Sequence, residues 1–93
     1  MEANRIYNFN PGPATLPLPV LKEAQAEFLN FRGSGMSILE ISHRAKEYAA
    51  MQAEAKADIK ELMGLGDDYE VLFMTGGAST QFAFLPLNFA SKE

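Results

Sequence analysis

The chain has 93 residues, of which 47% are apolar and 22% are charged, a composition typical of a globular protein with a modest core. Its net charge of −4 and its scattered Lys and Arg residues exclude a basic surface for nucleic acid. The absence of cysteine excludes disulfides and thiolate metal sites, and no apolar run is long enough to cross a membrane, so we expect a cytoplasmic protein.

The first part of the chain, residues 1–16, is predicted to be an N-terminal arm. Residues 6–10 alternate between apolar and polar side chains, and Pro11-Gly12-Pro13 follows them. Two prolines around one glycine exclude both a helix and an interior strand at this point, and they fix a bend.

A helical part is predicted over residues 17–66, and its first helix begins at or just after Thr15. Pro17 and Pro19 fall in the first turn, where their missing N–H groups are not needed. We expect the helix to end at Gly33-Ser34-Gly35. Its apolar face is formed by residues three and four apart, namely Val20, Leu21, Ala24, Phe28 and Phe31.

The second predicted helix runs from Ala45 to Met63 and is ended by Gly64. Acidic and lysine side chains alternate along it, which indicates a solvated face rather than a carboxylate pair for catalysis. Its apolar stripe is formed by Tyr48, Met51 or Gln52, Ala55, Ile59 and Leu62.

The most informative segment, residues 67–93, predicts the first strand and helix of a larger domain. A buried strand over residues 70–74 is followed by Gly76 and Gly77, which let a ligand approach the main chain. Ser79 and Thr80 are of the type that caps helices, and the first helical turn offers free N–H groups to an anion. The alternative is an ordinary strand-to-helix turn that is capped by these hydroxyls and binds no ligand.

The last helix is apolar on nearly all sides and contains Pro86, which is typical of a helix buried in a larger body. A strand buried on both faces also needs neighbouring strands, and the chain offers no other convincing interior strand. We therefore expect a fragment of a larger α/β protein, mostly helical with one clear strand, or a chain that completes its sheet with other chains.

A second candidate anion site lies at His43 and Arg44, just before the second predicted helix. An imidazole and a guanidinium could hold one anion, the guanidinium through two hydrogen bonds. The alternative is a surface arginine paired with Glu40 or Glu47, with His43 serving as a turn residue. Because His43 is the only histidine, the chain cannot supply a multi-histidine metal site, and no metal is expected.

Three segments of the sequence together carry a family resemblance. They are Tyr7-Asn8-Phe9-Asn10-Pro11-Gly12-Pro13-Ala14-Thr15-Leu16-Pro17, the run from Gly33-Ser34-Gly35-Met36-Ser37 to Glu40-Ile41-Ser42-His43-Arg44, and Val71-Leu72-Phe73 through Gly76-Gly77-Ala78-Ser79 to Gln81-Phe82. In this order and spacing they closely resemble the N-terminal part of the phosphoserine aminotransferase family. Each motif is weak alone, but the three are specific together and span nearly the whole chain.

The resemblance implies a homodimeric enzyme of the aspartate-aminotransferase fold that uses pyridoxal 5′-phosphate. Such enzymes interconvert 3-phosphohydroxypyruvate and L-glutamate with O-phospho-L-serine and 2-oxoglutarate in serine biosynthesis. It implies that Ala78 and Ser79 bind the cofactor phosphate, that Arg44 with His43 binds the distal anion of the substrate, and that the arm lies over the active site. The family often has a small polar residue in place of Pro11.

The resemblance also implies that no catalytic residue lies in this chain. The family's catalytic lysine comes much later in the complete sequence, and none of Lys22, Lys46, Lys56, Lys60 and Lys92 matches it. Three hypotheses follow: a part of a transaminase, a small phosphate-binding module without catalysis, or an interaction protein that assembles through exposed apolar faces. Sequencing the gene beyond Glu93 separates the first hypothesis from the others.

Overall fold

The computed structural model describes residues 4–91, and the expected roles of residues 1–3, Lys92 and Glu93 lie outside it. Its elements, in chain order, are α1 (Leu18–Glu27), the 3₁₀ turns Phe31–Gly33 and Ile38–Glu40, α2 (Lys46–Met63) and α3 (Ala78–Phe89). The described residues fall into two compact units, one ending at Gln52 and one beginning at Ala53. The division into an arm, a helical part and a strand-helix part stays a prediction.

The arm folds back on itself as a closed loop, residues 8–15. The main-chain N–H of Thr15 donates to the Asn8 carbonyl at 3.0 Å, and the Asn8 N–H donates to the Thr15 hydroxyl at 3.0 Å. Outside this pair, the Arg5 guanidinium donates to the Leu16 carbonyl at 2.7 Å. The bend predicted at the prolines is therefore closed by hydrogen bonds between the two limbs on either side of it.

Helix α1 begins after Pro17, close to the predicted start, but it ends at Glu27 rather than at the glycines of residues 33–35. Asn30 explains the early end, since its side-chain oxygen accepts the Gly35 N–H at 2.7 Å. The Phe31 N–H donates to the Met36 carbonyl at 2.8 Å, which completes a tight loop. Asparagine competes with helix in this way by bonding the main chain locally, so Phe28 and Phe31 do not extend the apolar face of α1.

The core of the first unit lies around this loop. Phe31 and Ile41 are buried, and so is the hydroxyl-bearing Ser37. Ser37 begins the second 3₁₀ turn with a capping box, in which the Ser37 N–H donates to the Glu40 carboxylate at 3.1 Å. Of the apolar residues between Met36 and Ile41, only Ile41 is buried, whereas Met36 and Leu39 are 39% and 76% exposed.

Helix α2 agrees with its predicted bounds to within one residue. Gly64 has φ +64°, and its N–H donates to the Glu61 carbonyl at 3.1 Å, while the Leu65 N–H donates to the Lys60 carbonyl at 2.9 Å. These two bonds form a Schellman motif, which satisfies the last carbonyls of a helix. All residues of the predicted apolar stripe are partly covered except Leu62, which is 87% exposed.

The strand predicted at residues 70–74 is wrong for this structure, since no strand pairing occurs between residues 4 and 91. A strand exists only when a second strand shares its ladder of hydrogen bonds, and the described residues provide none. The segment instead leads through Gly76 and Gly77 into α3, which contains Pro86 as expected. No helix within residues 4–91 is both long and apolar enough to span a membrane.

Candidate anion-binding sites

The first candidate site is the N-terminus of the twelve-residue helix α3. Gly77 is the N-cap, and the first hydrogen bond of the helix is donated by the Gln81 N–H to the Gly77 carbonyl at 3.1 Å. The N–H groups of Ala78, Ser79 and Thr80 come before that bond and have no partner inside the helix. They form a row of donors at the positive end of the helix dipole.

No side chain caps this helix end, because the N-cap residue is a glycine. The expectation that Ser79 or Thr80 is the capping residue of α3 is therefore wrong, while the choice between a ligand-binding turn and a turn without a ligand stays a prediction. Ser79 and Ala78 are exposed, so their N–H groups are accessible to a ligand. The arrangement offers several N–H donors and one hydroxyl to an anion, which is the donor set that a phosphate group requires.

The turn before α3 requires a glycine at position 76. Gly76 has φ +87°, a conformation that residues with a Cβ rarely adopt. A Cβ at this position would also overlap with the side chain of Thr80. Gly77 has φ −111° and open space around it, so the steric demand falls on Gly76 alone.

The second candidate site is the turn that precedes α2. Ser42 builds this turn: its hydroxyl accepts the Arg44 N–H at 3.2 Å, and its carbonyl accepts the Ala45 N–H at 2.9 Å. His43 and Arg44 occupy the two central positions of the turn, and both are exposed. Adjacent turn positions place an imidazole and a guanidinium on one short, hydrogen-bonded segment.

Arg44 is available to bind an anion. Within residues 4–91 it forms no ion pair with Glu40 or Glu47, the partners that the alternative interpretation requires. The carboxylate of Glu40 is instead bonded to the Ser37 N–H. An ion pair is present on another segment of the chain, between Lys56 and Glu70 at 3.8 Å.

Two asparagines that organise these segments were missed by sequence reasoning. Asn8 closes the arm loop, and Asn30 closes the loop after α1. The available signal was the tendency of asparagine side chains to bond the main chain next to glycine and proline turns. That tendency does not predict which main-chain group the side chain bonds, because the folded loop determines which group comes within hydrogen-bond distance.

The chain is similar to aminotransferases along nearly its whole length. The family model described as aminotransferase class-V matches residues 6–92. A phosphoserine aminotransferase of Desulfatibacillum aliphaticivorans is 65% identical over 85 residues, which are 91% of this chain and 24% of that protein.

Solved structures give the same result. Phosphoserine aminotransferase from Bacillus circulans subsp. alkalophilus has a TM-score of 0.86 and 53% identity, covering 97% of this chain and 25% of that one. The enzyme from Trichomonas vaginalis, solved with pyridoxal phosphate bound, has a TM-score of 0.85 and 44% identity, covering 95% of this chain and 24% of that one. The chain thus has the fold of their corresponding part and spans about a quarter of the length of these relatives.

Proposed function

We propose that this chain, which belongs to the class-V aminotransferase family, supplies the N-terminal part of a pyridoxal phosphate-dependent phosphoserine aminotransferase. The observation that carries the proposal is the 65% identity over 85 residues to a protein of that name. In this proposal the complete enzyme interconverts 3-phosphohydroxypyruvate and L-glutamate with O-phospho-L-serine and 2-oxoglutarate in serine biosynthesis. It works in the cytoplasm as a homodimer, as the family resemblance implies.

The N–H groups of Ala78 and Ser79, together with the Ser79 hydroxyl, bind the phosphate of pyridoxal 5′-phosphate. Three features of the described residues support this role: the uncapped helix end, the exposure of both residues, and the left-handed Gly76 that brings the main chain to the surface without a side chain. When bound, the cofactor supplies the electron sink for moving an amino group. The residues of this chain hold its phosphate and orient it.

Arg44 binds the distal anion of the substrate, assisted by His43. That anion is a phosphate in phosphoserine and a carboxylate in glutamate, and both match the planar pair of N–H donors of a guanidinium. The absence of an ion pair to Glu40 or Glu47 within residues 4–91 supports this role, since no competing carboxylate has to be displaced. The arm loop, residues 8–15, covers the bound substrate.

The chemical step requires a lysine that this chain does not supply in the proposal. Transamination needs an amine that bonds to the cofactor and carries the proton between two carbon atoms. The lysines of this chain that the structure describes lie on α1 and α2, and none lies between Gly76 and Ser91, at the proposed cofactor site. The chain therefore contributes binding groups, and the rest of the enzyme contributes the base.

The test uses a full-length enzyme, made by joining this chain in frame to the remaining three quarters of the D. aliphaticivorans relative. Ala78→Pro removes one N–H donor at the first position of α3, where proline is favoured and the preceding Gly77 is already extended. The helix should therefore persist, while the cofactor Kd rises by about ten-fold or more, since a hydrogen bond to a charged group contributes roughly 1.5–3 kcal/mol.

The matched control is Ala78→Ser, which adds a polar side chain and keeps the N–H donor. Its cofactor Kd should stay close to that of the unmodified enzyme. The measurements are cofactor Kd by absorbance titration, transamination of O-phosphoserine, and the Tm of the cofactor-free protein. An unmodified full-length enzyme that binds phosphate but transfers no amino group would support the non-catalytic phosphate-binding module instead.

A further inference from the structure

Among the described residues of the arm, Asn8 forms the most hydrogen bonds. Its side-chain N–H group donates to the Pro13 carbonyl at 2.8 Å, and its side-chain oxygen accepts the Asn10 N–H at 3.1 Å. Its main-chain N–H and carbonyl both bond to Thr15, each at 3.0 Å. One residue thus holds three separate points of the loop.

The side chain of Asn8 acts inside the loop as an additional amide group. Its donor reaches across to the far limb at Pro13, while its acceptor fixes the near limb at Asn10. Asparagine is the side chain that presents both a donor and an acceptor at this distance from the main chain. Alanine would remove both bonds, and aspartate would keep the acceptor but lose the donor.

The tip of the loop depends on these bonds, because little else holds it. Residues 10–12 are exposed, and Gly12 has φ +127°, a conformation that glycine adopts readily and that does not by itself hold the loop closed. The only other bond within the tip region is donated by the Ala14 N–H to the Gly12 carbonyl at 2.8 Å, among the described residues. Without Asn8 the tip would be free to sample open conformations.

We propose that Asn8 is a positioning residue, which holds the arm loop in its closed conformation before substrate binds. The inference rests on the proposed function, in which this loop covers the substrate. A loop that is already ordered adds no ordering cost to binding, whereas a loop that is closed in only a fraction of molecules weakens binding by that fraction. Asn8 itself does not contact the substrate in this account.

The experiment compares the unmodified full-length enzyme with Asn8→Ala and Asn8→Asp. For Asn8→Ala we expect the KM for both O-phosphoserine and glutamate to rise by about ten-fold, because the closed loop becomes a minor state. The kcat at saturating substrate, the cofactor Kd and the Tm should change little. Asn8→Asp should raise KM at least as much, since its carboxylate would face the Pro13 carbonyl.

A matched pair at Thr15 tests the same loop from its other limb. Thr15→Val keeps the shape of the side chain but loses the hydroxyl that accepts the Asn8 N–H, whereas Thr15→Ser keeps the hydroxyl. We expect a smaller KM rise, about three-fold, for the valine variant and none for the serine variant.

Two results would overturn the inference. One is an Asn8→Ala enzyme with unchanged KM values, and the other is a KM rise that is matched by loss of cofactor affinity or of Tm, which would indicate general damage. An unmodified full-length enzyme without transaminase activity would overturn the proposed function, and the inference with it.

Discussion

At the scale of single residues, both candidate sites consist of groups that the fold leaves without partners. The N–H groups at the start of α3 are uncapped, and the Arg44 guanidinium forms no ion pair among residues 4–91. Because Arg44, Ala78 and Ser79 are exposed, a bound anion would replace only water at each site, and no bond within the protein has to break. The identities of the candidate residues were predictable from sequence, because adjacent residues stay adjacent in any fold.

Replacing Arg44 in the full-length enzyme should weaken recognition of both amino donors. Arg44→Ala should reduce kcat/KM for O-phosphoserine and for glutamate, since the substrate anion would lose its charged partner. The loss corresponds to about 2–4 kcal/mol of transition-state stabilisation. Arg44→Lys should lose less, because an ammonium keeps the charge but not the paired hydrogen bonds. Cofactor content should be unchanged, and steady-state kinetics with absorbance spectra would measure both quantities.

Lys46→Ala is the matched control for Arg44, since Lys46 is an exposed cation two residues further on. Removal of the Lys46 charge should leave kcat/KM nearly unchanged if Arg44 acts by direct contact with the substrate. It should lower kcat/KM if Arg44 acts only through the long-range electrostatic field of the protein. Full activity in Arg44→Ala would favour the surface-turn interpretation of this segment. Loss of cofactor in Arg44→Ala would mean that the two anion sites are assigned the wrong way round.

At the scale of elements, sequence reasoning succeeded where the determinant is local. The end of α2 was predicted because it is set by Gly64 and by hydrogen bonds from the Gly64 and Leu65 N–H groups to carbonyls of the last turns of the same helix. The end of α1 was missed because Asn30 bonds forward to Gly35, a pairing that periodicity does not contain. The strand at residues 70–74 was predicted from side chains alone, although a strand is defined by the main chain of a neighbour.

The end of α2 supplies a stability test. Gly64 has φ +64°, so Gly64→Ala should lower the free energy of unfolding of the full-length enzyme by roughly 1–2 kcal/mol, the cost of a left-handed residue with a Cβ. Gly64→Asn should lose clearly less, because asparagine tolerates this conformation. Urea unfolding of both variants measures the difference. Equal stability of the alanine variant and the unmodified enzyme would show that the Schellman motif contributes nothing.

At the scale of the whole molecule, the chain leaves most of its apolar surface uncovered. Only Phe31, Ser37 and Ile41 are buried among residues 4–91, while Phe82, Leu87 and Phe89 of α3 are 78%, 81% and 82% exposed. An apolar groove in the second unit, lined by residues of α3 and by Leu72 and Met74, is likewise open. The chain spans about a quarter of its relatives, which agrees with a body whose remaining layers would cover these faces.

The isolated 93-residue chain should therefore not behave as a folded monomer. With so little buried surface, the entropic cost of ordering the chain exceeds the free energy gained from hydrophobic burial. The exposed helix faces should then associate with one another. We expect oligomers or aggregates in size-exclusion chromatography, strong binding of a hydrophobic dye, and a broad thermal transition, whereas the full-length enzyme should melt cooperatively. Pyridoxal phosphate should bind the isolated chain only weakly. A sharp, cooperative melt of a monomeric chain would show that the three buried side chains suffice as a core, and that the exposed face of α3 is a solvent-facing surface.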